Sequence, residues 1–343
     1  MHACVVHKAG DLRVEEWDPG LPGPGQVLVA ASLGGICGSD LHYYHRGSVG
    51  DFQVREPLVL GHEVVGRVAA LGPGTEGGPA VGTPVAVHPA TPCGTCPECA
   101  GDRRNVCGHA RYLGSAARMP HVQGGFAQRF VVPADQVRAL PAGLDPRRAV
   151  LAEPLSVALH AVRRAGEVAG RRVLVTGAGP IGSLVVAALR HAGAAEVIVS
   201  DLLDAPLDIA RSVGATATVR ADRPDGPAWP DDVDVAVEAS GSGAGLGTCV
   251  QRVRRGGTVV LLGLLPPGET GFLGNVVVTR EITLRGTFRF DHEFDDALAL
   301  LASGLDVGPV VSHTLPLSRA VEAFDLAGDR TRASKVLLDL GGE

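Results

Sequence analysis

The sequence predicts an α/β protein of two units, a β-rich barrel-like module and a doubly wound parallel sheet, on three observations. The chain has 343 residues, a length suited to two domains. Its first 150 residues hold short Val-rich runs set apart by Gly and Pro, the mark of closely spaced strands. From about residue 172, strand-like apolar runs alternate with helical patterns, the order that builds a parallel sheet covered by helices.

In the first part, strands are expected at ACVVH, QVLVAASL, EVVGRVAAL, TPVAVHP and FAQRFVVP. LSVALHAVRRAG then places Leu155, Ala158, Leu159 and Val162 on one helical face. The alternation that follows runs RRVLVTG, PIGSLVVAALRHAG, AEVIVSD and APLDIARSVG, with further strands at DVDVAVEAS and GTVVLLGL. Beyond about Arg285 the pattern mixes again. Helices near 295–302 and 318–327 flank the strand PVVSHTL, and KVLLDL follows. This tail is expected to return to the first unit.

Hydrophobic residues make up 45% and charged residues 20%, which supplies a sizeable core. The net charge of -6 argues against a nucleic-acid partner, which would call for a basic surface. No run of about 18 uncharged apolar residues occurs, so no membrane helix is expected. The N-terminal residues lack a basic leader with an apolar run, and a cytosolic protein is expected. The 47 Gly and 24 Pro are spread as turn punctuation, and no internal repeat is found.

Of seven cysteines, four cluster as C-x2-C-x2-C-x7-C: Cys93, Cys96, Cys99 and Cys107. Short spacers let one loop wrap a tetrahedral zinc, and four thiolates leave no open position, so a structural site is expected. An iron–sulfur cluster is the competing use of such a loop. Cys37, the pair His62 and Glu63, and Glu153 lie in separate segments. One Cys, one His and one carboxylate would form a catalytic zinc site with an open position. Each also has an ordinary use: a small buried thiol, a strand pair, or a carboxylate at a helix start.

Gly177, Gly179 and Gly182 form G-x-G-x-x-G between a strand and a helix, with Asp201 ending the next strand. That context specifies a dinucleotide site, with phosphates on the helix N-terminus beside Pro180 and Ile181.

Taken together, these segments resemble the zinc-containing medium-chain dehydrogenases over nearly the whole chain. GHEVVGRV and the four-Cys loop carry the general likeness. CGSDLHYYHRGSVGDFQVREPLVLGHE and LAEPLSVALHA are similar to the polyol branch of sorbitol, xylitol and L-idonate dehydrogenases. YLGSAARMPHVQGGFAQ and LRGTFRF are most similar to the L-idonate 5-dehydrogenases within it.

The resemblance implies a GroES-like β-barrel catalytic domain at 1–156 and 288–343, with a Rossmann domain at 157–287. It implies two zinc ions per chain, NAD, and a homotetramer or homodimer. Cys37 and His62 match the catalytic zinc ligands, with either Glu63 or Glu153 as the third. Asp40 matches a position that orients His62. Ser39 and His42 match a proton relay, although Ser39 is equally suited to cap a helix. Tyr43 and Tyr44 match pocket or packing positions.

The implied reaction is hydride transfer between a secondary alcohol and the nicotinamide ring. The substrate expected first is L-idonate, oxidised at C5 to 5-ketogluconate. A sugar alcohol is the alternative, and a nucleotide-binding sensor without catalysis is a third reading. A sugar acid needs a local cation, for which Arg289 is the first candidate and Arg46, Arg118 and His121 are weaker ones. NAD rather than NADP is expected, because Asp201, Asp204 and Asp208 would repel a 2′-phosphate. The first Arg of that segment is Arg211, and Pro206 stands where many relatives carry a basic residue.

Overall fold

A computed structural model describes residues 1–223 and 229–341 of the chain. The five β runs expected in the first part all form strands: His2–Lys8, Gln26–Gly35, Glu63–Leu71, Pro84–Val87 and Arg129–Pro133. Their Val-rich composition suits a pleated, half-buried surface. The strand Gln26–Gly35 is the axis of a seven-stranded sheet. It pairs antiparallel with Glu63–Leu71, Arg129–Pro133 and Lys335–Asp339. Lys335–Asp339 in turn pairs parallel with Val311–Pro316. The tail thus rejoins the first sheet, as its sequence pattern suggests.

A second sheet has six strands, all parallel. Their order is Ala217–Arg220, Glu196–Asp201, Arg172–Thr176, Val233–Glu238, Val253–Leu261 and Thr283–Gly286. Val173, Leu174 and Val175 are all fully buried, as a central strand covered on both faces requires. The short strands at 217–220 and 283–286 escape the sequence reading, because neither is bounded by a clear apolar alternation. The helices Gly243–Arg252 and Gly274–Arg280 escape it too, since glycines dilute their patterns.

The helix Ala152–Ala165 joins the two sheets. It starts three residues before the expected LSVALHA run, so Glu153 lies in its first turn. Leu155, Ala158 and Ala161 share one apolar cluster with Val65 and Ala86 of the first sheet and Val173, Val175 and Leu184 of the parallel unit. Burying both sides of one helix fixes the cleft between the sheets. No helix among the described residues is long and apolar enough to cross a membrane.

Candidate active site

A cavity of about 410 Å³ opens between the two sheets. The first unit lines it with Cys37, Ser39, His42, Tyr43, His62, Tyr112 and Glu153. The parallel sheet contributes Ile181 and the segments 239–241 and 262–264, and the returning chain contributes Thr287, Phe288 and Arg289. Segments 239–241 and 262–264 follow the carboxyl ends of their strands, where open α/β sheets bind ligands.

Cys37 precedes the helix Gly38–Arg46, and His62 precedes the strand Glu63–Leu71. The buried Asp40 accepts from the backbone N–H of Cys37 at 3.0 Å and of Gly61 at 3.3 Å, so one carboxylate ties both segments. Asp40 Oδ1 lies 3.7 Å from His62 Nδ1, beyond hydrogen-bond length. Asp40 thus stands beside the His62 ring at ion-pair distance and also holds the backbone on either side of it. The expected cap role of Ser39 is corrected: Cys37 is the cap residue, and Ser39 stands inside the first turn.

Donor atoms of Cys37, His62 and Glu63 lie within 4.8 Å of one another. Yet Glu63 is fully buried, and Lys335 Nζ donates to its two oxygens at 2.6 and 2.8 Å. The third Lys335 bond goes to Ile36 O at 3.0 Å, which satisfies the ammonium. Burial pushes the Glu63 carboxyl up to about 7, with Lys335 pulling it down and Glu153 adding to the rise. Gly35 makes the room: a Cβ there would lie 2.1 Å from Glu63 Oε2.

Glu153 instead faces the cavity and accepts from Tyr112 Oη at 2.7 Å. Burial pushes His62 down, but Asp40, the Cys37 sulfur and Glu153 outweigh it and leave the ring well above its usual value. Acidic and thiol donors gathered at a buried imidazole suit a cation, and a Cys–His–carboxylate set suits zinc with an open position.

The second donor cluster is Cys93, Cys96, Cys99 and Cys107. Its Sγ atoms lie 3.5 Å (Cys96–Cys99), 3.6 Å (Cys93–Cys107) and 3.7 Å (Cys96–Cys107) apart. Zn–S bonds of ~2.3 Å give a tetrahedron edge of roughly 3.8 Å, so the four thiols fit one ion. A disulfide would need ~2.05 Å, and all seven cysteines are free. This lobe also touches the cavity wall. Asn105 Nδ2 donates to Phe288 O at 2.9 Å, and Arg104 Nε donates to Asp291 at 2.9 Å.

Between those anchors sits Arg289, with φ 53°, a left-handed conformation rare for a residue with a side chain. Its guanidinium lies 4.1 Å over the Tyr112 ring and 4.8 Å over Phe288. Among the described residues no carboxylate pairs with it.

The weaker substrate candidates fall away. His121 is buried, accepts from Arg55 N at 2.9 Å and donates to Arg118 O at 2.8 Å, so both ring nitrogens are engaged in its own loop. Arg118 binds Gly108 O and Ala110 O beside the four-Cys lobe, and Arg46 is exposed outside the cavity. Tyr43 reaches the cavity but is 3% exposed, and its hydroxyl accepts from Ala116 N at 3.0 Å, which makes it chiefly packing. Tyr44 Oη sits 3.4 Å from Asp325, away from the cavity.

At the cofactor end, Gly177 has φ 93°, and a Cβ there would meet Ser240 N at 2.7 Å. A Cβ on Gly182 would lie 2.0 Å from Gly177 O. Gly179 faces open space, and the helix Pro180–His191 starts there with Pro180 at its head and no side-chain cap. A bare helix N-terminus next to open space suits a pyrophosphate.

Asp201 ends its strand as expected, but the charge reading around it is overturned. Arg330 Nη2 lies 2.6 Å from Asp201 Oδ2. Arg220 Nη1 lies 2.6 Å from Asp204, and Arg211 pairs with Asp208. Each carboxylate thought to repel a phosphate carries an arginine.

Tyr112, Lys335 and Arg330 are absent from the sequence reading. A lone Lys opening the apolar strand KVLLDL was the available signal for Lys335. Nothing local marks Arg330, whose partner lies 129 residues away.

A cleft of this construction, with a cysteine–histidine–carboxylate donor set facing a dinucleotide fold, defines a zinc-dependent dehydrogenase. Residues 23–142 match the alcohol dehydrogenase GroES-like domain, and residues 180–303 match the zinc-binding dehydrogenase family. The chain belongs to the zinc-containing medium-chain dehydrogenases, in the polyol and sugar-acid branch.

It is 39% identical over 316 residues to L-idonate 5-dehydrogenase (NAD(P)(+)) of Escherichia coli (strain K12), covering 91% of each chain. It is 37% identical over 350 residues to sorbitol dehydrogenase of Gallus gallus, covering 98% of this chain and 95% of that one. The crystal structure of L-idonate 5-dehydrogenase from Escherichia coli K-12 superposes with a TM-score of 0.90 at 37% identity, covering 98% and 97%. The chain is thus an oxidoreductase, and the sensor reading gives way.

Proposed function

We propose that the protein oxidises a secondary alcohol of a sugar acid, L-idonate at C5 first, and catalyses the reverse reduction, with NAD as a cofactor. The observation that carries the sugar-acid reading is Arg289, a cation on the cavity wall with no carboxylate partner among the described residues. Its planar fork suits a substrate carboxylate, which a neutral polyol lacks. The likeness to L-idonate 5-dehydrogenase supports the same reading. Sorbitol or xylitol is the second reading, favoured by the likeness to sorbitol dehydrogenase.

We assign Cys37, His62 and Glu153 to the catalytic zinc and Cys93, Cys96, Cys99 and Cys107 to a structural zinc. Glu153 is preferred to Glu63 because it faces the cavity, while both oxygens of Glu63 are held by Lys335. When bound, this zinc supplies Lewis-acid polarisation of the substrate oxygen and the nicotinamide ring accepts hydride.

The chain's own part is orientation and proton transfer. Ser39 and His42 stand three residues apart on one helix and both line the cavity. Burial, then Arg46 and His45, hold the His42 ring below its usual value, so it is neutral and able to accept a proton from the Ser39 side.

Residues 157–287 form the cofactor domain in this reading, with 1–156 and 288–343 as the catalytic domain. Exposed Phe272, Leu273 and Val278 lie in the segment leading to the outermost strand Thr283–Gly286, which supports pairing of two copies in a homodimer or homotetramer. Seven free thiols suit a reducing cytosol.

The test is kcat/KM over hexonates, pentitols and hexitols for the native enzyme and Arg289→Ala. The variant is expected to raise KM for hexonates by roughly tenfold or more and leave polyols within about threefold. Equal losses on both classes would remove the carboxylate role.

A further inference from the structure

We infer that Arg330 is a cofactor-specificity residue that receives the 2′-phosphate of NADP, so that the site placed at Asp201 takes NADP as well as NAD. The inference rests on the cofactor reading above and deepens it.

Asp201 is 5% exposed at the carboxyl end of the strand Glu196–Asp201. Its Oδ2 accepts from Ala178 N at 2.8 Å and Arg330 Nη2 at 2.6 Å, and its Oδ1 accepts from Leu203 N at 3.2 Å. A carboxylate offers about four lone-pair sites, so one is left for a ribose hydroxyl while Arg330 stays in place. Ala178 lies between Gly177 and Gly179, which fixes this carboxylate directly beside the phosphate-binding turn.

Arg330 issues from the loop after the helix Ala320–Gly328 and crosses from the first unit to the parallel sheet. Its side chain is half exposed, and Asp201 is its one ion-pair partner among the described residues. A guanidinium has five donors, and with the side chain half exposed the donors not given to Asp201 reach solvent beside that carboxylate. The arginines near this end face other carboxylates, with Arg223 Nη2 3.6 Å from Asp204. Arg220 is the register neighbour of Asp201, but it binds Asp204 and Asp222, and Arg211 binds Asp208 and Thr218. Arg330 is therefore the cation with free donors at this carboxylate.

With Asp201 compensated, a 2′-phosphate meets a bidentate partner instead of a bare like charge. NAD needs no such partner and uses the remaining lone pair of Asp201.

The experiment is titration of NADH and NADPH into the native protein, Arg330→Ala and Arg330→Lys, followed by the fluorescence of the bound nicotinamide, with kcat/KM for NAD and NADP in parallel. The native protein is expected to bind both reduced cofactors, NADPH with the steeper loss on adding salt. Arg330→Ala should weaken NADPH by roughly tenfold or more and NADH by less than about threefold, while Arg330→Lys recovers part of the loss. Thermal melting of each variant checks that the fold persists.

Equal weakening of both cofactors, or unchanged NADPH affinity, would overturn the assignment. Binding of NADH with no measurable NADPH binding would also sink it while leaving the dinucleotide site intact. Binding of neither cofactor would instead refute the cofactor reading on which it rests.

Discussion

The two sulfur-containing donor clusters of this protein are built in opposite ways. Cys93, Cys96, Cys99 and Cys107 come from one loop of 15 residues, and their sulfurs meet because short spacers leave them little choice. Cys37, the pair His62 and Glu63, and the proposed ligand Glu153 come from three segments that only the packed sheets and the helix Ala152–Ala165 bring together. A local cluster is stabilised by its own ion. A dispersed one must be held by the fold, and here that hold is polar and buried: Asp40 on two backbone N–H groups, and Lys335 on Glu63. The difference teaches that removing one donor should have different consequences in the two places.

The largest expected effect is on turnover. Cys37→Ser or His62→Ala should lower kcat by roughly a thousandfold or more, since a Lewis acid contributes several kcal/mol to the reaction. NADH binding should survive, because the glycine turn at 177–182 lies on the other sheet. Measured kcat near the native value would break the assignment, and lost NADH binding would break the independence of the two sheets.

For the local cluster, Cys96→Ala should act on stability first. Zinc coupled to folding contributes on the order of 10 kcal/mol in small modules, so metal analysis should fall from about two zinc ions per chain to about one, with a lowered Tm. The bonds from Asn105 to Phe288 and from Arg104 to Asp291 add a second consequence. The turn carrying Arg289 loses its anchor, so KM for sugar acids should rise as well. An unchanged zinc content and Tm would show that the four thiols hold no ion.

Lys335→Met tests the support of the dispersed cluster. It leaves Glu63 buried without its cation, and breaking one side of such a pair costs about 3–5 kcal/mol. The same loss should be largely absent when Glu63→Gln accompanies it. Denaturant unfolding of the single and double variants measures this, and equal destabilisation of both would show that the pair is not the source.

Much of this architecture is legible in the sequence. Strands such as EVVGRVAAL and VLVTG have one buried solution, and the glycine turn after a strand fixes its own helix. The strand Lys335–Asp339 could be read as a strand, but its place beside Gln26–Gly35 could not, because pairing across about 300 residues leaves no local trace.

At the sites, the sequence by itself determined what local spacing controls, the four-Cys loop and the Gly177–Gly182 turn, and it offered Cys37 and His62 with either Glu63 or Glu153 as donors. Tertiary structure alone decided which carboxylate faces the cavity, because Lys335 arrives from the far end of the chain to claim Glu63. It also decided the charge at the cofactor end. Local sequence shows three aspartates and one distant arginine, but folding places Arg330 on Asp201, Arg220 on Asp204 and Arg211 on Asp208. Electrostatic interactions depend on separation in space, and separation along the chain fixes that distance only within a turn or a loop.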